Sequence, residues 1–231
     1  MKCVILQPSY IPWRGYFHQI WNADLFVFYD DVQYDKNGWR NRNRIKTAQG
    51  LQWLTIPVHT KGSVVEGIPI NEIKISWERP WNLHHWRGIQ FAYKKAPFFT
   101  EFKGYFDDVF SRKPELLADF TIETTIEISR LLGITHTRFI RSSELKNIEG
   151  SKTDKLISIL GNVGADHYIS GPSAKNYIEK EKFEEAGIKL EYMDYNYPEY
   201  EQLHPPYESQ VSIIDLLFMK GIDALKFITQ Y

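Results

Sequence analysis

The 231-residue chain holds one cysteine, Cys3. It can close no disulfide within the chain and cannot build a cysteine zinc site. Zinc-type histidine spacing is absent as well: there is no HxxxH or HExxH run. His84 and His85 are adjacent, so on a helix they point ~100° apart and cannot easily share an ion. Charge of one sign is also lacking. Lys+Arg total 28 against 29 Asp+Glu, a net charge of −1. So neutral a chain predicts no general nucleic-acid binding and no electrostatic pull to a membrane surface. No window approaches the ~18 apolar residues of a membrane span. Residues 1–7 show no secretory pattern, which predicts a cytoplasmic location. With 43% hydrophobic and 25% charged residues, disorder, collagen and coiled coil are excluded.

Aromatic residues are what the chain has in excess. They make up 15% of it, with seven Trp, 14 Tyr and 14 Phe. The length suits a single domain over 1–231, at ~100–200 residues per domain.

The order of elements predicts an α/β fold with a mostly parallel, Rossmann-like sheet. Residues 3–6 form an unbroken apolar run stopped by Pro8, the pattern of a strand buried on both faces. Tyr16, Phe17, Ile20 and Trp21 then share one helical face. Residues 25–29 are a second apolar strand ending at Asp30 and Asp31. Strand, helix, strand with uninterrupted apolar strands is the parallel βαβ pattern. A turn at residues 35–38 leads into a basic segment and a strand at 51–58, with one more at 72–77. Residues 78–135 read as a helical insertion, with helices near 80–95, 99–110 and 113–132. Alternation then resumes: strands at 137–140, 167–170 and 188–192, helices at 151–163 and 212–219.

Candidate binding residues cluster beyond strand ends. Residues 7–14 follow the first strand and enter the first helix, where parallel sheets bind ligands and helix N-termini offer free N–H groups. Gln7, Ser9, Tyr10, Arg14 and Gly15 are contacts there, or else members of a packed proline-rich connection. Asp30 and Asp31 close the second strand. One of them could act as a general base with a raised pKa, or both could serve turn and surface. Arg40, Arg42, Arg44 and Lys46 recur with period two. On a strand they would lie on one face about 6.6 Å apart, as a phosphate or pyrophosphate clamp or a charged edge. Ser170, Gly171, Ser173 and Lys175 sit between a strand and a helix, a place for a phosphate. His204, in the tyrosine-rich loop 195–207, is a proton-shuttle candidate. Asp215 on an apolar helix face predicts a structural bond. Mg²⁺ brought with a phosphate substrate stays open.

Residues 7–17 (QPSYIPWRGYF), 23–26 (ADLF), 30–34 (DDVQY), 41–45 (NRNRI), 53–58 (WLTIPV), Ser170-Gly171 and 212–215 (SIID) together resemble the WbqC-like protein family. The resemblance implies a place in bacterial surface-polysaccharide (O-antigen) assembly. It further implies transfer of an aminoacyl or acyl group, glycine-type, onto a sugar intermediate. It adds Gln33 and Asn43 as substrate contacts and favours Arg42 and Arg44 within the basic row. The partners implied are a phosphate-bearing small molecule and other polysaccharide enzymes.

A second likeness is to HxGH-type nucleotidyltransferases, including pantothenate-synthetase-like ligases. In them two histidines at the first helix steady the triphosphate. Here Trp13 and Tyr16 occupy both histidine positions of Trp13-Arg14-Gly15-Tyr16, which weakens the case for adenylylation chemistry but not for the fold. ATP or a nucleotide sugar is the ligand these readings leave open. A non-catalytic partner of polysaccharide enzymes is the third reading; its mark would be an exposed aromatic patch without a polar-lined pocket.

Overall fold

The computed structural model describes residues 1–36, 38–60 and 67–229; Asn37 of the predicted turn lies outside them. The first apolar run is strand β1 (Lys2–Leu6), and helix α1 (Arg14–Asn22) leads to β2 (Leu25–Phe28). Strands β3 (Arg42–Thr47) and β4 (Gly50–Thr55) form a separate antiparallel hairpin. Three helices follow: α2 (Trp81–Tyr93), α3 (Phe99–Ser111) and α4 (Leu117–Leu131). Alternation then returns with β5 (Arg138–Arg141), α5 (Lys152–Asn162), β6 (His167–Ser170), α6 (Lys180–Glu185) and β7 (Lys189–Tyr192). Helices α7 (Ile213–Lys220) and α8 (Lys226–Thr229) end the described chain.

The main sheet has five strands in the order β5-β2-β1-β6-β7, and every pairing is parallel. This is an α/β fold of Rossmann-like order. The chain builds outward from β1 to one side, then returns to start β6 on the other. The gap between the carboxyl ends of β1 and β6 is therefore the topological switch point.

Period-two alternation divides the strand residues between two cores. Val4, Phe26, Phe28 and Ile169 join α1 and the aromatic helices on one face. Cys3, Ile5, Leu25, Val27 and Tyr168 pack against Leu156, Ile159, Leu160 and Phe183 of α5 and α6 on the other. Buried among apolar neighbours, the Cys3 thiol is pushed up to about 12, which suits packing and not nucleophilic chemistry.

The aromatic middle is mostly core. The Trp86 ring stacks near Phe99, Phe106 and Phe110, at centroid distances of 6.0, 6.0 and 5.6 Å. Asp215 is fully enclosed and accepts hydrogen bonds from Tyr93 (2.9 Å), Tyr200 (2.7 Å) and Gln202 (3.0 Å). It thereby fastens α7 to α2 and to the tyrosine-rich loop.

Two local expectations differ. Residues 72–77 form no strand. Ile70–Glu72 is a 3-10 turn, and Lys74 and Ile75 make single bridges to Leu116 and Val58. The segment is wedged between two different neighbours: Ile75 N–H donates to Glu115 O and Ser76 N–H to Pro57 O. Helix α4 begins at Leu117 instead of Lys113, because Pro114 favours extended backbone before it and Leu117 N–H is spent on Ile73 O.

Candidate functional site

A cavity of about 440 Å³ opens at the switch point. Leu6 and Gln7 from the end of β1 face Pro172 and Ser173 from beyond β6. Trp13, Tyr16, Trp39 and Tyr195 supply aromatic walls; Gln7, Ser9, Gln19, Asn43, Ser173 and Gln210 supply polar groups. This mixture of apolar wall and few polar groups is typical of small-molecule sites.

The loop from β1 to α1 is held from several sides. Asn43 Nδ2 donates to the carbonyls of Tyr10 (3.0 Å) and Ile11 (2.7 Å). Tyr10 N–H donates to Trp39 O, and Ile213 N–H to Pro12 O. Between these ties Ile11 takes φ 40°, a conformation costly for a β-branched residue. The Tyr16 hydroxyl donates to Gln7 O at 3.1 Å, and burial raises its pKa well above the usual tyrosine value.

Trp13 folds back over the first turn of α1. A Cβ at Gly15 would lie 2.3 Å from the Trp13 ring, so only glycine admits the indole there. The ring meets Tyr195 edge-on at 5.0 Å. Gln19 Nε2 donates to the Tyr195 hydroxyl at 2.6 Å, and its buried Oε1 has no hydrogen-bond partner. A second opening of about 530 Å³ adjoins the first and shares Trp13, Tyr195 and Gln210 with it. Glu199 and Glu208 lie on its wall.

Of the residues singled out in the sequence, the structure gathers Gln7, Ser9, Trp13, Tyr16, Arg40, Asn43 and Ser173 around the first cavity. The others stand elsewhere. Arg14 lines the second opening, where it donates to Pro198 O (2.9 Å) and Tyr207 Oη (2.6 Å) and stacks over Tyr197. Tyr10 is enclosed and pairs with His85 Nδ1 at 2.9 Å. Gly15 sits beneath Trp13. Ser170 Oγ donates to Tyr168 Oη at 3.3 Å, while Gly171 lies against the Tyr195 hydroxyl. Lys175 is exposed, with Nζ 5.2 Å from the Tyr192 ring. Gln33 bridges to Pro69.

Asp30 and Asp31 secure the end of β2. Asp30 has 0% exposure and accepts from Ser142 Oγ, Ser143 N–H and Ser143 Oγ at 3.2, 3.1 and 2.9 Å. Asp31 pairs with Lys155 at 2.8 Å and accepts from Ser142 Oγ. His204 Nε2 is bonded to Ala92 O at 3.1 Å.

The basic row divides. Arg42 stacks on Trp53 at 4.7 Å. Arg44 lies over Trp39 and Trp53 and donates to Gln210. Lys46 Nζ donates to Pro206 O. Arg40, ahead of the strand, turns into the cavity. Trp39 and Trp53, 41% and 46% exposed with centroids 5.3 Å apart, make an aromatic ledge at the rim. Sequence reasoning did not select Trp39, Gln19, Tyr195 or Gln210. They lie far apart in the chain, and only the fold brings them to β1. Among the described residues no group of three His, Cys, Asp or Glu is placed to hold a metal ion. No helix there is long and apolar enough to cross a membrane.

The family model described as WbqC-like protein family matches residues 7–227, nearly the whole chain. This chain belongs to the WbqC-like protein family. Its match spans both sides of the cavity, from Gln7 through Ser173 to Gln210. One family relative is "Uncharacterized protein Rv1507c" of Mycobacterium tuberculosis. The two are 40% identical over 225 residues, covering 96% of this chain and 95% of the relative. No solved structure matches the chain.

Proposed function

We propose that this WbqC-like protein is a group-transfer enzyme acting on a phosphate-bearing sugar intermediate of surface-polysaccharide assembly. The group moved is an acyl or aminoacyl unit. The observation that carries the reading is the position of the cavity, between the carboxyl ends of β1 and β6 at the switch point, with walls from the family motif at residues 7–16. Its chemistry agrees: flat aromatic walls suit a sugar or base ring, and the polar groups fix orientation. An amine acceptor on the sugar attacks the acyl carbon as its free base. The new C–N bond forms as the donor's leaving group departs with its electron pair, and the amine proton passes to solvent.

Nucleotidyl transfer from ATP is the second reading. The Rossmann-like strand order favours it; Trp13 and Tyr16 at the two histidine positions count against it.

The test is product analysis. Purified protein is incubated with amino-sugar nucleotides and activated acyl or aminoacyl donors, and the sugars are weighed by mass spectrometry. A sugar heavier by the acyl group is the expected product. Pyrophosphate release from ATP, with no acylated sugar from any donor, would replace group transfer by nucleotidyl transfer.

A further inference from the structure

Arg40 is the single charged residue among the described residues lining the switch-point cavity. It forms no ion pair and no hydrogen bond with any described residue, and its Nε is enclosed without a partner. Arg42 and Arg44 share the enclosed Nε, but their guanidinium groups have other company. Arg42 and Arg44 lie on tryptophan rings, and Lys46 reaches a carbonyl. Asp35, Tyr16 and Tyr34 are the ionisable groups acting on Arg40, yet burial outweighs them and lowers its pKa from the ordinary arginine value. Arg40 is half-buried, and enclosing part of a guanidinium without a hydrogen-bonded carboxylate is unfavourable. The ties holding residues 7–13 and Trp39 keep it there.

We infer that Arg40 is the seat of a phosphoryl oxyanion, so that the ligand places a phosphate or pyrophosphate against its guanidinium and a ring against Trp13 and Trp39. The planar fork of donors matches phosphate oxygens in pairs. Ser9 and Ser173 hydroxyls line the same space and can complete the oxyanion's shell. Among the described residues lining the cavity there is no carboxylate; Asp35, which acts on Arg40, is not in the lining. The inference deepens the transferase reading by naming the group recognised, and it rests on that reading only for the identity of the rest of the ligand.

Inorganic pyrophosphate is the probe, followed by tryptophan fluorescence, since Trp13 and Trp39 line the site. The wild-type protein is expected to show a saturable change. Arg40→Gln should bind about tenfold or more weakly, Arg40→Lys should recover part of the loss, and the exposed distal Lys113→Gln should match wild type. Should Arg40→Gln fail to fold, phenylglyoxal modification of the wild-type chain serves instead. Pyrophosphate should then protect Arg40, read by peptide mass. Equal binding by wild type and Arg40→Gln overturns the inference; so does the absence of both a saturable response and protection. Binding is measured without turnover, so the two claims separate. An anion seat with no acylated sugar would leave Arg40 assigned and remove the transferase reading.

Discussion

At the residue scale, one cavity's character depends on which of several similar side chains is left without a partner. The period-two row at 40–46 was legible in the sequence, but its use was not. The strand begins at Arg42, opposite Thr55, and Arg44 pairs with Trp53 across the hairpin. Those cations therefore meet indole rings, whereas Arg40 lies before the strand and escapes that register. Histidines give the residue scale a titration of its own. Burial lowers His18 and His85 to about 4, against an ordinary value of 6.5. His85 also accepts or donates at Tyr10 and bonds the Thr55 backbone, so it is built in as a neutral ring. Between those two pH values the unfolded chain binds protons that the folded chain does not. Stability is thus complete above the ordinary value and falls as pH drops through the window. The loss is on the order of 2–3 kcal/mol for His85 over the whole window. Urea unfolding at about pH 7 and about pH 5 should show it, and His85→Gln should flatten part of the slope. A wild-type stability unchanged across that interval would contradict the assignment.

At the scale of elements, the first two parallel strands were readable because both their faces are largely buried. The runs at 3–6 and 25–29 have no polar side to misread, and they became β1 and β2. Segment 72–77 misled because alternation reports a half-buried extended chain without saying whether one neighbour or two will pair with it. The turn from β1 into α1 was legible by its position at the end of the first strand. The reason for its glycine was not, since the Trp13 ring and the Gly15 site meet only in three dimensions. Gly15→Ala should therefore act on shape. The added methyl must displace the indole, costing about 1–3 kcal/mol of stability. The displaced ring should also weaken pyrophosphate's effect on tryptophan fluorescence. Thermal unfolding and the fluorescence titration read the two effects separately. An alanine variant with wild-type melting temperature and titration would show that Trp13 does not depend on that glycine.

At the scale of the whole molecule, the strand order sets where the switch point lies, and the segment ahead of β3 (Trp39, Arg40) with the chain after β7 (Tyr195, Gln210) supplies much of the wall. The mostly parallel sheet was predictable from the βαβ alternation. The composition of the wall was not: Tyr195 and Gln210, remote from β1 in sequence, are held at the cavity by Gln19 and Arg44. The central claim is that the switch-point cavity receives a phosphate-bearing sugar ligand. The most direct measurement is a thermal-shift comparison across a nucleotide-sugar panel, made on wild type and on Ser173→Trp. Ser173 is exposed at the cavity wall, so an indole there should fill the space without disturbing a core. A ligand at ~100 times its dissociation constant adds ~2.7 kcal/mol. The account predicts a clear rise in melting temperature for wild type with at least one nucleotide sugar, and none for Ser173→Trp, whose own melting temperature stays near wild type. An equal rise in both proteins, or no rise in wild type with any member of the panel, would contradict it.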